Sequence, residues 1–184
     1  MVAPSDPVLA ELLNSRIRDV PDYPKPGVLF KDIAPLLADA EAFAALTQAL
    51  ADRAKALGAT KVVGLEARGF VLAAPAAFAA GLGFVPIRKA GKLPGAVFAQ
   101  SYDLEYGSAT LEVQCDAFTP GERVLVVDDV LATGGTITAS VDLVRRAGAE
   151  LAGVVVLMEL SFLPGRERLT GHLDGAPLET LVLV

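Results

Sequence analysis

Residues 124–136 read VLVVDDVLATGGT, and this stretch constrains the fold more than any other. Four branched apolar residues, Val124–Val127, lead into Asp128 and Asp129, and Thr133, Gly134, Gly135 and Thr136 follow closely. The apolar run has the composition and length of a strand buried on both faces, as in a parallel sheet. The next stretch, ITASVDLVRRAG, spaces Ile137, Val141 and Val144 as one face of a helix, with Gly148 placed to end it. The loop therefore lies between the carboxyl end of a strand and the amino end of a helix. Open α/β sheets bind ligands there, and unpaired backbone N–H groups favour an anion. A phosphate fits. Two neighbouring carboxylates would repel it, so the ligand must carry something else as well.

The remaining chain reads as more units of the same kind. LLNSRIRDVPDYPKPGVLFKDI starts helical and then breaks at Pro21, Pro24 and Pro26. DAEAFAALTQALADRAKALG is an amphipathic helix with Phe43, Leu46, Leu50 and Leu57 in its stripe. KVVGL is a strand, followed by EARGF and an apolar helix over about 70–80. A short strand over about 84–87 leads into RKAGKLPG, and 96–118 have the pattern of a β-ribbon. After the opening strand and helix come the strand LAGVVVLMEL and an edge strand at ETLVLV. Alternating strands and helices imply a mostly parallel sheet with right-handed crossovers. No repeat or Gly/Ser-rich linker divides residues 1–184, so one domain is expected. Three polar clusters, Glu66–Arg68, Arg88–Lys92 and Asp128–Thr136, then fall at strand ends that can converge along one sheet edge.

Composition excludes other classes. The net charge is −6 and the 16 basic residues are scattered, which argues against nucleic acid as a partner. Phe70–Ile87 holds no charge over 18 residues, but Pro75, Gly81, Gly83 and Pro86 interrupt it, so no membrane span is expected. The opening residues carry acids and no basic-then-apolar leader. Cys115, the single cysteine, excludes an intrachain disulfide and fits a reducing cytoplasm. It alternates with Leu111 and Val113, which predicts a buried strand position. His172, the only histidine, stands in a polar tail and reads as a surface residue.

The phosphate loop is of no common nucleotide-binding type. Gly-x-x-x-x-Gly-Lys-Ser/Thr is absent, no lysine follows Lys92, and Gly-x-Gly-x-x-Gly is missing too. A receiver domain also opens with paired acids, but it needs a later lysine and more βα units than the 54 residues after Val130 allow. What remains is a ligand with both a phosphate and a vicinal diol. Carboxylates only accept hydrogen bonds and ribose hydroxyls donate them, so Asp128 and Asp129 match the sugar. The Thr133 and Thr136 hydroxyls and the N–H groups of 132–136 match a 5′-phosphate, with Gly134 and Gly135 permitting close approach.

VLVVDDVLATGGT resembles the phosphoribosyl-pyrophosphate motif of the type I phosphoribosyltransferase family. YPKPGVLFKDI, EARGF, RKAGKLPG and SYDLEYG, in that order, are similar to its adenine-specific members. The resemblance runs from about Ile17 to Leu169. It implies a type I fold with an N-terminal hood over 1–34 and a flexible active-site loop over 89–107. It further implies transfer of phosphoribose to adenine N9, giving AMP and pyrophosphate. Ala132–Thr136 would take the 5′-phosphate, and Asp128 and Asp129 the ribose hydroxyls. Arg68 would adjoin both the pyrophosphate and the base, and Arg88, Lys89 and Lys92 would neutralise pyrophosphate. Adenine would lie against Leu29, Phe30 and Lys31, the last standing where relatives frequently have arginine. Glu105 would approach N7 as the catalytic acid. Mg²⁺ is expected mainly through substrate oxygens, and a homodimer is implied because the family is dimeric. A ligand-sensing regulator of related fold would need a DNA-binding segment, for which there is no length. Xanthine and orotate enzymes share the cradle but not the full set of stretches.

Overall fold

The computed structural model describes residues 6–103 and 107–184. Helix α1 (Pro7–Asn14) is capped by Asp6, whose carboxylate accepts from the N–H groups of Val8 and Leu9. Across the proline-rich stretch, β1 (Arg18–Pro21) and β2 (Leu29–Asp32) pair as an antiparallel two-stranded sheet. This is a regular element where the sequence shows only helix-breaking prolines. Helix α2 (Ala34–Ala38) follows, and Asp39 caps α3 (Ala40–Ala56) through the N–H groups of Glu41 and Ala42.

The body is built from β3 (Lys61–Leu65), α4 (Arg68–Ala80), β4 (Gly83–Lys89), the ribbon β5 (Val97–Asp103) and β6 (Ser108–Gln114), β7 (Arg123–Leu131), α5 (Gly135–Arg146), β8 (Glu150–Glu159), α6 (Gly165–Thr170) and β9 (Leu178–Leu183). Seven strands lie in the order β5-β6-β4-β3-β7-β8-β9. β4, β3, β7, β8 and β9 run parallel, and the ribbon adds two antiparallel strands at one edge. The mostly parallel α/β sheet expected from the sequence is therefore present, with β9 as its other edge.

Val124–Val127 are wholly buried, and alternation sends them to opposite faces. Leu125 and Val127 join the core shared with Leu46, Leu50, Leu72 and Ala73, whereas Val124 and Val126 join Ile87, Val141 and Val144. On α3 the buried stripe is Ala42, Leu46, Leu50, Ala51 and Ala54. Phe43 and Leu57 are only half-buried, because small alanines fill the space where α3 and α4 share a core. Cys115 is half-buried in the turn after β6, one residue beyond the strand expected to hold it. His172 is exposed, as expected.

β7 also departs from expectation, continuing through Leu131. Asp128 and Asp129 are thus strand residues rather than the first residues of a loop. The cause is β8, which is ten residues long and pairs with β7 as far as Leu131↔Glu159. Ladder pairing outweighs the low strand propensity of aspartate.

Candidate active site

β4, β3 and β7 are adjacent and parallel, so the three polar clusters at their carboxyl ends meet. On β7, Asp128 and Asp129 are both buried but have different partners. Asp128 Oδ1 accepts from the N–H of Asp129 at 2.9 Å, and Asp128 lines a cradle of about 120 Å³ with Ala132, Thr133, Gly134, Gly135 and Thr136. Asp129 Oδ2 lies 2.8 Å from Arg68, an ion pair without directed hydrogen-bond geometry. Burial pushes the Asp128 carboxyl well above its usual range, and the Asp129 charge adds to the effect. Burial raises Asp129 too, against the Arg68 charge.

The cradle is a helix start. Gly134 holds the N-cap position of α5 at φ 86°, a left-handed conformation that favours glycine, and no side chain caps the first turn. First-turn N–H groups and the positive end of the helix dipole are therefore left without a side-chain cap beside the cradle. Thr136 Oγ1 donates to the Tyr102 hydroxyl at 3.3 Å, tying the ribbon to the loop. Neither composition nor spacing marks Tyr102, since the contact joins distant elements.

Arg68 opens α4 and meets Asp129 and the N-terminal sheet. Its guanidinium sits 5.0 Å over the Phe30 ring, and Nη1 lies 3.5 Å from the Lys31 carbonyl. Phe30, Leu29, Lys31, Arg68, Val130, Ala132, Met158 and Leu160 enclose a cavity of about 150 Å³. Tyr23 meets Phe30 edge-on at 5.1 Å. The Lys31 ammonium is 2.7 Å from Asp19 on the paired strand, so its charge is already matched within the N-terminal sheet.

The third cluster is organised by Glu66, which the sequence does not single out from its neighbours. Its buried carboxylate pairs with Lys92 and with Arg88 at 3.3 Å, and accepts from the Lys89 N–H at 3.0 Å. Burial pushes its pKa up, but these donors and charges outweigh burial and the net shift is downward. A cis peptide joins Glu66 to Ala67. Glu105, the candidate acid, lies outside the described residues.

A phosphoribosyl transferase domain model matches residues 35–168. An adenine phosphoribosyltransferase of Streptomyces coelicolor is 70% identical over 96% of this chain and 97% of its own length. The crystal structure of the adenine phosphoribosyltransferase of Rhodothermus marinus superposes with TM-score 0.88 at 47% identity, covering 96% of this chain and 99% of the other. The Trypanosoma brucei adenine phosphoribosyl transferase, solved with AMP, pyrophosphate and ribose-5-phosphate, gives TM-score 0.87 at 29% identity over 99% of this chain and 82% of its own.

Proposed function

The chain belongs to the phosphoribosyltransferase family, among the adenine phosphoribosyltransferases, and on that premise we propose how its residues carry out the transfer. The enzyme moves the 5-phosphoribosyl group of phosphoribosyl pyrophosphate to adenine, forming AMP and pyrophosphate. One observation carries the assignment of parts: the anion cradle and the apolar pocket share Val130 and Ala132 as a common wall. A phosphorylated sugar in the first therefore abuts a base in the second.

In this reading the loop from Ala132 to Thr136 binds the 5′-phosphate through N–H groups and hydroxyls. Asp128 and Asp129 accept from the ribose hydroxyls, and Asp129 also holds Arg68. Adenine enters the pocket of Leu29, Phe30 and Lys31, where backbone groups of β2 meet its polar edge. A 6-oxopurine presents the opposite polarity and leaves those groups unsatisfied. As N9 bonds to C1′, the C1′–O bond breaks, pyrophosphate departs with the electron pair, and the imidazole-ring proton of adenine is released at N7, where Glu105 shares it. Positive charge rises on the ribose, and the buried carboxylates offset it. Arg88, Lys89 and Lys92 would receive pyrophosphate, which must compete with Glu66 for Arg88 and Lys92.

Adjacent Asp128 and Asp129 fit the pattern of one or two carboxylates beside a substrate-borne Mg²⁺, which would neutralise the leaving group. Calorimetry should detect only weak Mg²⁺ binding without substrate; tight binding contradicts this assignment. Homodimerisation is supported by the outer face of α4, where Val71 and Phe78 are exposed one heptad apart. A cytoplasmic location accords with the single free thiol.

Glu105 is proposed as the acid near N7. Glu105→Gln should keep substrate binding and lower turnover, while Glu105→Leu lowers it further and relaxes base choice. AMP formation from adenine, run beside hypoxanthine, guanine and orotate, tests the whole reading. Normal turnover and selectivity in Glu105→Leu removes the acid assignment. The ribbon loop is proposed to close over substrate, so hydrogen exchange at 91–105 should slow only with both substrates, or AMP with pyrophosphate, bound.

A further inference from the structure

The cradle is backed by α6, and the contact is backbone against backbone. A Cβ on Gly165 would collide with the Ala132 carbonyl oxygen and stand 3.0 Å from Leu131 Cδ1. A Cβ on Gly134 would stand 3.0 Å from the Gly165 carbonyl oxygen. Apart from Leu131, the nearest atoms these positions would meet are backbone, which cannot swing aside as a side chain can. The N–H of Leu160 also donates to the Leu131 carbonyl at 3.0 Å, fixing the loop's entry.

The residue after Gly165 is locked. Arg166 Nε donates to the two Glu159 oxygens at 2.9 and 3.0 Å, and Nη2 to Oε2 at 2.5 Å. Nη2 also donates to Thr180 Oγ1 at 2.8 Å and Nη1 to the Leu178 carbonyl at 3.3 Å, while the Thr180 hydroxyl donates to Glu159 at 2.9 Å. One guanidinium thus fastens α6 to the end of β8 and to β9. The Arg166 hydrogen bond, against burial, holds the Glu159 carboxyl below its usual range, so the pair stays charged at neutral pH. A partly buried ion pair of this kind adds little net stability compared with apolar packing, but its fork geometry fixes position.

We propose that Arg166 is a positioning residue for the phosphoribosyl substrate: clamped by Glu159 and Thr180, it seats Gly165 against Ala132 and Gly134 and keeps the loop's N–H groups open for the phosphate. The inference rests on the reading of Ala132–Thr136 as the 5′-phosphate cradle. Its mechanism is geometric, because a displacement of about 1 Å in a positioned group can cost on the order of 100-fold.

The test measures kcat, KM for each substrate, and dissociation constants for ribose 5-phosphate and for adenine. Arg166→Gln should raise KM for phosphoribosyl pyrophosphate and the ribose 5-phosphate constant by about 10–100-fold, and weaken adenine binding much less, since of the loop from Ala132 to Thr136 only Ala132 lines the base pocket. Arg166→Lys keeps the charge but loses the fork, and should fall between. Thr180→Val removes one strut without stranding a charge, so it serves if Arg166→Gln does not fold, with the same split at smaller size. Thr136→Val separates the two ideas. If it leaves ribose 5-phosphate affinity unchanged, the cradle reading fails. If it weakens that affinity while Arg166→Gln, or Thr180→Val in its place, does not, the positioning role alone is wrong. Equal weakening of both ligands by the clamp variants also overturns it.

Discussion

Asp128→Asn is expected to give a protein that withstands heat better than its parent and turns over far more slowly. The Asp128 carboxyl is buried beside Asp129, and both conditions favour its protonated form in the folded chain. Below the unfolded pKa, about 3.9, both states are protonated and nothing is lost. As pH rises, the unfolded chain ionises first, and stability falls until the folded pKa is passed. Above it the full cost of a buried carboxylate remains. Asparagine never ionises, keeps the acceptor for the Asp129 N–H, and so gains on aspartate through that window. A gain of about 1 kcal/mol would raise Tm by roughly 2–4 °C in a chain of this size. Above the folded pKa, losing a charged acceptor for the ribose hydroxyls should cost about 1.5–3 kcal/mol, or roughly 10–150-fold in kcat/KM. Asp129→Asn should show no such heat gain, because it strands Arg68. Calorimetry from acid to neutral pH and steady-state kinetics decide the matter. Equal melting at every pH, with unaltered kinetics, would remove both the electrostatic and the ribose assignments.

Such carboxylates show how far a sequence can be read. The strand, the helix after it and the convergence of three strand ends were legible, because Val124–Val127 and the Ile137–Val141–Val144 spacing are local patterns. The strand's true end was not, because it depends on β8 pairing beside it. Nor was the β1–β2 sheet legible, since three prolines mask a short antiparallel pair whose partners face each other only once the chain turns. Cations show in sequence but their counter-ions do not: Arg68 finds Asp129, and Arg88 and Lys92 find Glu66, across elements far apart in the chain. The Glu159–Arg166–Thr180 clamp was hidden for the same reason, with an additional one. Its residues carry no motif, and their consequence for the cradle passes through a glycine backbone.

Gly64→Ala is expected to be among the most damaging single-methyl additions. Gly64 lies wholly inside β3, and a Cβ there would stand 2.8 Å from Ala73 Cβ, 2.9 Å from Phe84 Cε2 and 3.0 Å from the Gly69 carbonyl oxygen. Two of these neighbours belong to α4, so the helix must lift from the sheet or the ring must turn. Overpacking of this kind costs about 1–3 kcal/mol, which for this length lowers Tm by roughly 2–12 °C. The damage should reach the site, because α4 begins at Arg68, whose guanidinium bridges Asp129 and Phe30. Gly69 leaves no slack either: its own Cβ would stand 2.9 Å from Asp128 Oδ1 and 3.0 Å from the Val127 carbonyl oxygen. Adenine affinity should therefore fall along with stability. Ala73→Gly alone costs about 1 kcal/mol of helix propensity, yet combined with Gly64→Ala it removes the shortest clash. The double variant should thus be more stable than the sum of the single losses predicts, by roughly 0.5–2 kcal/mol of coupling. Phe84 and Gly69 remain in the way, so rescue should be partial. A Gly64→Ala protein that melts with its parent and binds adenine normally would show that α4 is not held at this distance, and simple additivity would show that Ala73 is not what Gly64 makes room for.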